Sequence, residues 1–440
     1  MDYRIALDRN GSVMIDAIPD TDMLIWGGSV FLCVLGPSSK SLPLHAMANN
    51  ISAIERHGLT LSSYDFSEKR KVAAGLFLDS YAGRDNMLAK MRQMIGPNKW
   101  SVYKVGISDG RLLTADIGMV IPVSLEGEEF KIFCNGIEMS SDLVTLDPHL
   151  AYSHWFMPEG CLLGIQAACE LTNVPDYLEF SVTFPKATAD TQADKFLPIY
   201  NYTNPAMLDG LPEVERIKRV SGATADLNSF LNGGKTAAEH IKRLASHYLG
   251  ASKAPRTFLD WGVGCGRVAR HLTLESNIRL TGIDIDDDNL KWCQDNLTGE
   301  YKTVGLLPPT PFDDNTFDVI YSCSVLSHLT EDVAHHWLSE LKRVLRPNGV
   351  ALLSFNGSSN LVSYLGRRPH ELKATLGGSM FDKDINHDLD GFIPSTDYYR
   401  ASFAETKWWT DVFGQHFELL AVEPAVVSGY QDIAVLRCPS

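Results

Sequence analysis

The spacing of apolar and polar residues changes character along the chain. Up to about residue 110, apolar runs mix with helical spacing. Gly11–Ile18 and Gly28–Leu35 read as strands, while Leu44–Arg56 and Arg84–Ile95 read as helices, with Asp85 and Asn86 placed to cap the second. From 111 to 184 the pattern is strands broken by turns: Arg111–Val123, Glu129–Cys134, Leu163–Leu171 and Tyr177–Phe184. Asn135-Gly136 and Pro158-Glu159-Gly160 supply the turn chemistry, and regular strands without helical spacing predict a β-sandwich. Residues 185–212 are rich in Pro, Thr, Asp and Asn and read as a linker.

From 213 to 440 strand and helix alternate. Two helices are expected in Glu213–Leu249, separated at Gly233-Gly234, and the second gathers Ala237, Ile241, Leu244 and Tyr248 on one face. Strands follow at Thr257–Asp260, Ile278–Ile283, within Asp313–Ser322 and at Val350–Phe355, with helices at Val268–Leu274 and Asn289–Leu297 and a basic helix end before Pro347-Asn348-Gly349. Asn356–Thr406 interrupts the pattern, and Phe417–Glu423 with Gln431–Arg437 closes it as a hairpin. The prediction is an α/β chain: a mixed α/β accessory region (1–110), a β-sandwich (111–184), a linker (185–212) and an open α/β domain with parallel strands (213–440).

One stretch carries most of the chemistry, Asp260-Trp261-Gly262-Val263-Gly264-Cys265-Gly266-Arg267. It joins the end of a strand to a helix. Glycine at alternate positions lets a ligand lie against the backbone, and N–H groups at the following helix start favour an anionic group. A dinucleotide site wants G-x-G-x-x-G, and its third glycine position is occupied here by Arg267. An acid at the strand end also suits a cationic ligand better than a pyrophosphate. The stretch resembles motif I of class I S-adenosylmethionine (SAM) methyltransferases, D/E-x-G-x-G-x-G, at Asp260, Gly262, Gly264 and Gly266.

The resemblance covers about 211–438 and implies a Rossmann-like seven-stranded sheet over 213–440. It is closest to bacterial methyltransferases with a C-G-R-V-x-R-H-L helix start (Cys265–Leu272) and an S-V-x-x-H-L turn (Ser324–Leu329), found beside glycosyltransferase and polysaccharide genes. It implies that Asp260 holds the methionine ammonium, that the three glycines admit the cofactor, and that Val220-Ser221-Gly222 and Phe230 pack over the pocket. Asp284 ends the second strand, 18 residues past Gly266, where a carboxylate can accept both ribose hydroxyls. Ile285 follows it into the same site. The family's adenine-reading acid or amide is replaced near Leu306, so backbone groups there are expected to make that contact. Cys323 and Ser324 would line the methionine portion. His328 is a candidate general base, weighed against a wall residue. The interruption at 356–406 reads as an acceptor-side lid, with Tyr398, Tyr399 and Arg400 as acceptor contacts.

Composition narrows the partners. With 39 basic and 54 acidic residues the net charge is −15, which argues against nucleic acid. The apolar run Met23–Gly36 is too short to span a bilayer and reads as a buried strand. Eight scattered cysteines without a C-x-x-C pair, and a start lacking the layout of a signal peptide, point to a reducing, cytoplasmic setting with no metal site. The expected function is methyl transfer from SAM to a small-molecule or saccharide acceptor, at a hydroxyl. Two rivals are a non-catalytic module whose N-terminal half binds a glycan or a protein, and an NAD-dependent oxidoreductase.

Overall fold

A computed structural model describes strand backbone within residues 5–35 and then residues 99–439, apart from short stretches of which 145–160 and 186–195 are the longest. The helices expected at Leu44–Arg56 and Arg84–Ile95, the turn at Pro158–Gly160 and most of the linker lie outside the described residues. Near the start, β1 (Ile5–Leu7) pairs with β2 (Val13–Ile15) and β3 (Met23–Gly27) with β4 (Val30–Leu35), both antiparallel. The apolar run read as one strand is therefore a hairpin, split at Gly27-Gly28.

Eight strands follow: β5 (Lys99–Ser108), β6 (Leu112–Val120), β7 (Lys131–Cys134), β8 (Ile137–Glu138), β9 (Ser140–Val144), β10 (Leu162–Glu170), β11 (Tyr177–Thr183) and β12 (Ile199–Tyr202). They form two antiparallel sheets, β5-β6-β10-β9 and β12-β11-β7-β8, which share one core. Leu113, Ala115, Ile117 and Met119 alternate into it from β6, facing Leu178, Phe180 and Val182 of β11. Strands β5 and β12 fall outside the expected limits of 111–184. In β5 a register shift between Val102 and Lys104 breaks the alternation that sequence reading depends on. Strand β12 lies in the expected linker; its outward N–H groups, on Tyr200 and Tyr202, donate to Thr236 Oγ1 and Asn232 Oδ1.

Those two acceptors belong to a long helix. After α1 (Val214–Ser221), α2 runs from Leu227 to Leu249, opened by a reciprocal capping box between Asp226 and Ser229. The glycine pair does not divide it. A Cβ on Gly234 would lie 2.1 Å from the Arg267 carbonyl oxygen, so the glycine is where the helix meets the loop after β13 (Arg256–Trp261).

The remaining elements are α3 (Ala269–Leu272), β14 (Ile278–Asp284), α4 (Asp287–Asn296), β15 (Glu300–Thr303), β16 (Phe317–Ser322), α5 (Glu331–Val344), β17 (Leu345–Phe355), α6 (Ser358–Leu365), α7 (Pro369–Thr375), β18 (Phe381–Ile385), β19 (Arg400–Phe403), α8 (Thr406–Gly414), β20 (Glu418–Val427) and β21 (Gln431–Arg437). Seven strands form one sheet in the order β15-β14-β13-β16-β17-β21-β20, in which β21 alone runs against the others. Both faces are covered, because neighbouring residues of a strand point to opposite sides. Phe258, Val319 and Leu352 meet Phe230, Ile241 and Leu244 of α2, while Leu259, Ile320 and Leu353 meet Trp337 of α5 and Trp409 of α8.

The interruption between β17 and α8 is not a surface appendage. Leu361, Val362, Leu365, Leu372, Phe381 and Phe403 lie in the same apolar cluster as the sandwich core. The sandwich and the interruption of the C-terminal half thus share one interior, while the seven-stranded sheet has its own cores on its two faces.

Candidate functional site

Parallel pairing of β14, β13 and β16 brings the carboxyl ends of three strands to one edge, with Asp260 opposite Gly282 on one side and Tyr321 on the other. The pocket opens there, as expected at the switch point of an open α/β sheet. Its wall includes Trp261, Gly262, Gly264, Asp284, Ile285, Val304, Cys323 and Ser324 from the sheet edge, Arg219 and Val220 from α1, Trp337 from α5, and Leu389, Tyr398 and Tyr399 from the interruption.

All three motif glycines have positive φ: +83° at Gly262, +52° at Gly264 and +74° at Gly266. The space their missing Cβ atoms leave is taken by the protein itself. A Cβ on Gly262 would lie 2.3 Å from Val325 Cγ2, one on Gly264 2.9 Å from Val220 Cγ2, and one on Gly266 2.2 Å from Leu297 Cδ1. Gly262 and Gly264 border the pocket; Gly266 instead lets α4 close against the loop. The helix after the loop, α3, is a single turn, and the Gly264 N–H expected to face an anion donates to Asp284 Oδ2 at 2.7 Å.

Asp260 is buried behind the wall, and its Oδ2 accepts a 2.6 Å hydrogen bond from the Tyr321 hydroxyl. It is absent from the described lining. Burial raises its pKa to about 7, helped by the nearby Asp284 charge and opposed by the Tyr321 bond. Asp284 does reach the pocket. Burial raises it to about 6, while the N–H groups of Asp286 (3.0 Å) and Gly264 hold the charged form. Each oxygen uses one lone pair this way and keeps another for a ligand.

Arg219 carries no signal in the sequence. Its guanidinium lies with Nε 3.0 Å from Asp286 and Nη2 2.5 Å from Asp288, and 3.6 Å from the Phe392 ring centroid. The first two contacts tie α1 to the start of α4, where Asp286 also caps the helix by accepting from Asp288 N and Asn289 N. The third ties α1 to the interruption. Phe230, expected over the pocket, is core packing, whereas Val220 does line it.

Leu306 is also off the lining. Its carbonyl oxygen accepts from the Tyr398 hydroxyl at 2.6 Å and from Trp337 Nε1 at 3.1 Å, and the neighbouring wall residue is Val304. Tyr398 and Tyr399 share the wall with Asp284 and Ile285, on the side expected for the cofactor. Arg400 does not line it, and its carbonyl accepts from His328 Nδ1 at 2.7 Å. His328 is likewise outside the lining, stacked on Tyr399, and burial pushes its pKa down to about 4. The Cys323 thiol is raised by burial to about 12, so it stays protonated. Among the described residues no His, Cys, Asp and Glu cluster could hold a metal, and no helix is long and apolar enough to cross a membrane.

The donor set fits SAM. The wall combines aliphatic side chains with four aromatic rings and two carboxylates, and its one arginine among the described residues is already matched by two acids, which leaves no cation for a pyrophosphate. Residues 259–353 match the family model described as a methyltransferase domain. Norajmaline N-methyltransferase of Rauvolfia serpentina is 25% identical over 48% of this chain and 75% of its own. N-terminal Xaa-Pro-Lys N-methyltransferase 1-B of Xenopus laevis is 29% identical over 34% of this chain, which spans 65% of that relative's length. Among solved structures, a SAM-dependent methyltransferase of Methanosarcina mazei aligns at 18% identity and a TM-score of 0.35, covering 44% of this chain and 95% of its own. The C-terminal sheet is that of a SAM-dependent methyltransferase domain, and SAM is its cofactor.

Proposed function

We propose that the chain as a whole transfers a methyl group from SAM to a small-molecule acceptor, and that the attacking atom is a nitrogen. The observation that carries the reading is Asp284, fixed by Gly264 N–H and Asp286 N–H beside a pocket with no unmatched cation among the described lining residues. Asp284 would accept the ribose hydroxyls through its unused lone pairs. Trp261, Ile285, Val304, Trp337 and Tyr398 would enclose the adenine, with Val304 taking the place expected of Leu306. Asp260 would act from behind the glycine loop, supporting a ligand ammonium by its charge and not by contact. When bound, SAM supplies a methyl group on a positively charged sulfur.

The choice of nitrogen rests on His328. Its Nδ1–H donates to the Arg400 carbonyl, and a conjugate acid near pH 4 is too acidic for the ring to take a proton from an alcohol efficiently. An amine brings its own lone pair and needs only to be positioned and kept from water. The relatives named N-methyltransferases agree with this. A saccharide hydroxyl would need a base, and both wall carboxylates are engaged: Asp284 by the ribose in this reading, and Asp286 by Arg219 and the start of α4. The oxidoreductase reading is disfavoured by Arg267 and by a wall whose one described arginine is already matched by acids.

The test is calorimetric titration with S-adenosylhomocysteine, on the wild type and on Asp284→Ala, followed by turnover assays with amines and with saccharides. Binding lost in the variant and turnover with amines support the proposal. Turnover with saccharides alone would overturn the nitrogen, and binding without turnover on either panel would favour a non-catalytic module.

A further inference from the structure

Ser324 is one of five described residues other than glycine with positive φ, at +67°, and the only one of them on the pocket wall. A left-handed backbone is costly for a residue with a Cβ, so something must hold it. Its N–H donates to Ser354 Oγ at 2.7 Å, and its own hydroxyl donates to Gln431 Oε1 at 3.1 Å. Ser354 Oγ donates to the same Gln431 oxygen at 2.9 Å. Three residues from three strand ends thus close a triangle, in which Ser354 is fully buried and Gln431 nearly so.

The turn has a consequence for the glycine loop. It redirects the chain after β16 so that Val325 places its Cγ2 where a Cβ on Gly262 would be. The wall on that side of the pocket is built from Cys323, Ser324 and Val325 facing Gly262 and Gly264. We infer that Gln431 is a positioning residue for this site: it holds Ser324 left-handed, and through it shapes the part of the pocket that receives the amino-acid portion of the cofactor. The inference rests on the SAM reading above. Gln431 acts through Ser324 and performs no step itself.

The experiment compares binding of S-adenosylhomocysteine and of 5′-methylthioadenosine, which lacks the amino-acid portion, to the full chain. Gln431→Leu keeps the side-chain volume and removes the acceptor. It should weaken S-adenosylhomocysteine by about tenfold, the size of one or two lost hydrogen bonds, and leave 5′-methylthioadenosine within about twofold. Glycine adopts positive φ freely, so in a Ser324→Gly background the same Gln431→Leu change should cost less than about twofold. Unchanged affinity in Gln431→Leu, equal weakening of both ligands, or an undiminished penalty in the glycine background would each overturn the inference. Thermal melting checks the fold; should Gln431→Leu not fold, Ser354→Ala opens the same triangle and is read in the same way. A wild type that binds neither ligand removes the SAM reading and this inference with it, whereas a wild type that binds both keeps the reading and isolates the role of Gln431.

Discussion

The rings of His328 and Tyr399 lie face to face, centroids 4.0 Å apart and planes 16° from parallel. The contact joins the turn after β16 to the interruption that roofs the pocket, and the Arg400 carbonyl secures the other side of the imidazole. A positioning role follows. His328→Phe keeps the stacking surface and loses the Nδ1 bond, so kcat/KM should fall by less than about tenfold, where loss of a general base costs about 10²–10⁴-fold. Any pH–rate limb near pH 6 should come from Asp284 and be unchanged in His328→Phe, since the folded His328 pKa is pushed down to about 4.

Cofactor affinity should depend on Asp284. Its folded pKa is raised to about 6, so the carboxylate that accepts hydroxyl donors is present above pH 6 and lost below it. Affinity for S-adenosylhomocysteine, measured by calorimetry from pH 8 to pH 5, should decline through that range. In Asp284→Asn it should be weaker at pH 8 and nearly flat. A wild-type profile that is flat would contradict the assignment.

Tyr321 stabilises a buried charge. Its hydroxyl donates to Asp260, whose folded pKa is about 7 against an unfolded value near 3.9. A raised carboxyl pKa favours folding at low pH, and that advantage fades as pH rises from the unfolded value through 7. Tyr321→Phe removes the donor to the ionised form. It should therefore cost about 1–3 kcal/mol at pH 8.5 and less at pH 5.5, where Asp260 keeps its proton. Denaturant titrations at the two pH values measure the difference.

Acid should destabilise the fold through its buried imidazoles. Burial lowers His240 and His328 to about 4 and His271 to about 3. A lowered folded pKa gives stability that is present above the unfolded value of about 6.5 and lost as pH falls through the folded one. His240→Gln should flatten the decline in melting temperature between pH 6.5 and pH 4. An unchanged slope would show that His240 is not one of its sources.

The shared core predicts that the two halves are not independent. Phe403 is buried in the sandwich cluster and stacks on Tyr364 with centroids 4.2 Å apart. Phe403→Ala should cost about 3–5 kcal/mol, and the sandwich and the C-terminal sheet should melt together. A chain beginning at residue 213 should expose Leu361, Phe381 and Phe403 and aggregate, which light scattering would reveal.

Local sequence determined six of the seven strands of the C-terminal sheet, all but β15, and the strand-end placement of Asp260 and Asp284, but not the helices and strands within 356–406. Strand alternation and strand-to-helix turns are short-range patterns, and parallel connectivity then brings the strand ends to one edge. Tertiary structure decided what those residues touch. Asp260 turned away from the pocket to Tyr321, 61 positions along the chain, and Gly234 kept its helix whole because Arg267 lies against it. The same holds for Tyr398 and Tyr399, which share a wall with Asp284, and for Arg219, whose acids and aromatic ring come from two other elements. Strand β5 escaped for a local reason, a bulge that shifts a two-residue period, and β12 for a distant one, side chains of α2 that satisfy its edge. A hydrogen bond or a packed face between distant segments leaves no period in either, so the sequence could place candidate residues along the strands but not the neighbours that set their charge, their conformation and their access to the ligand.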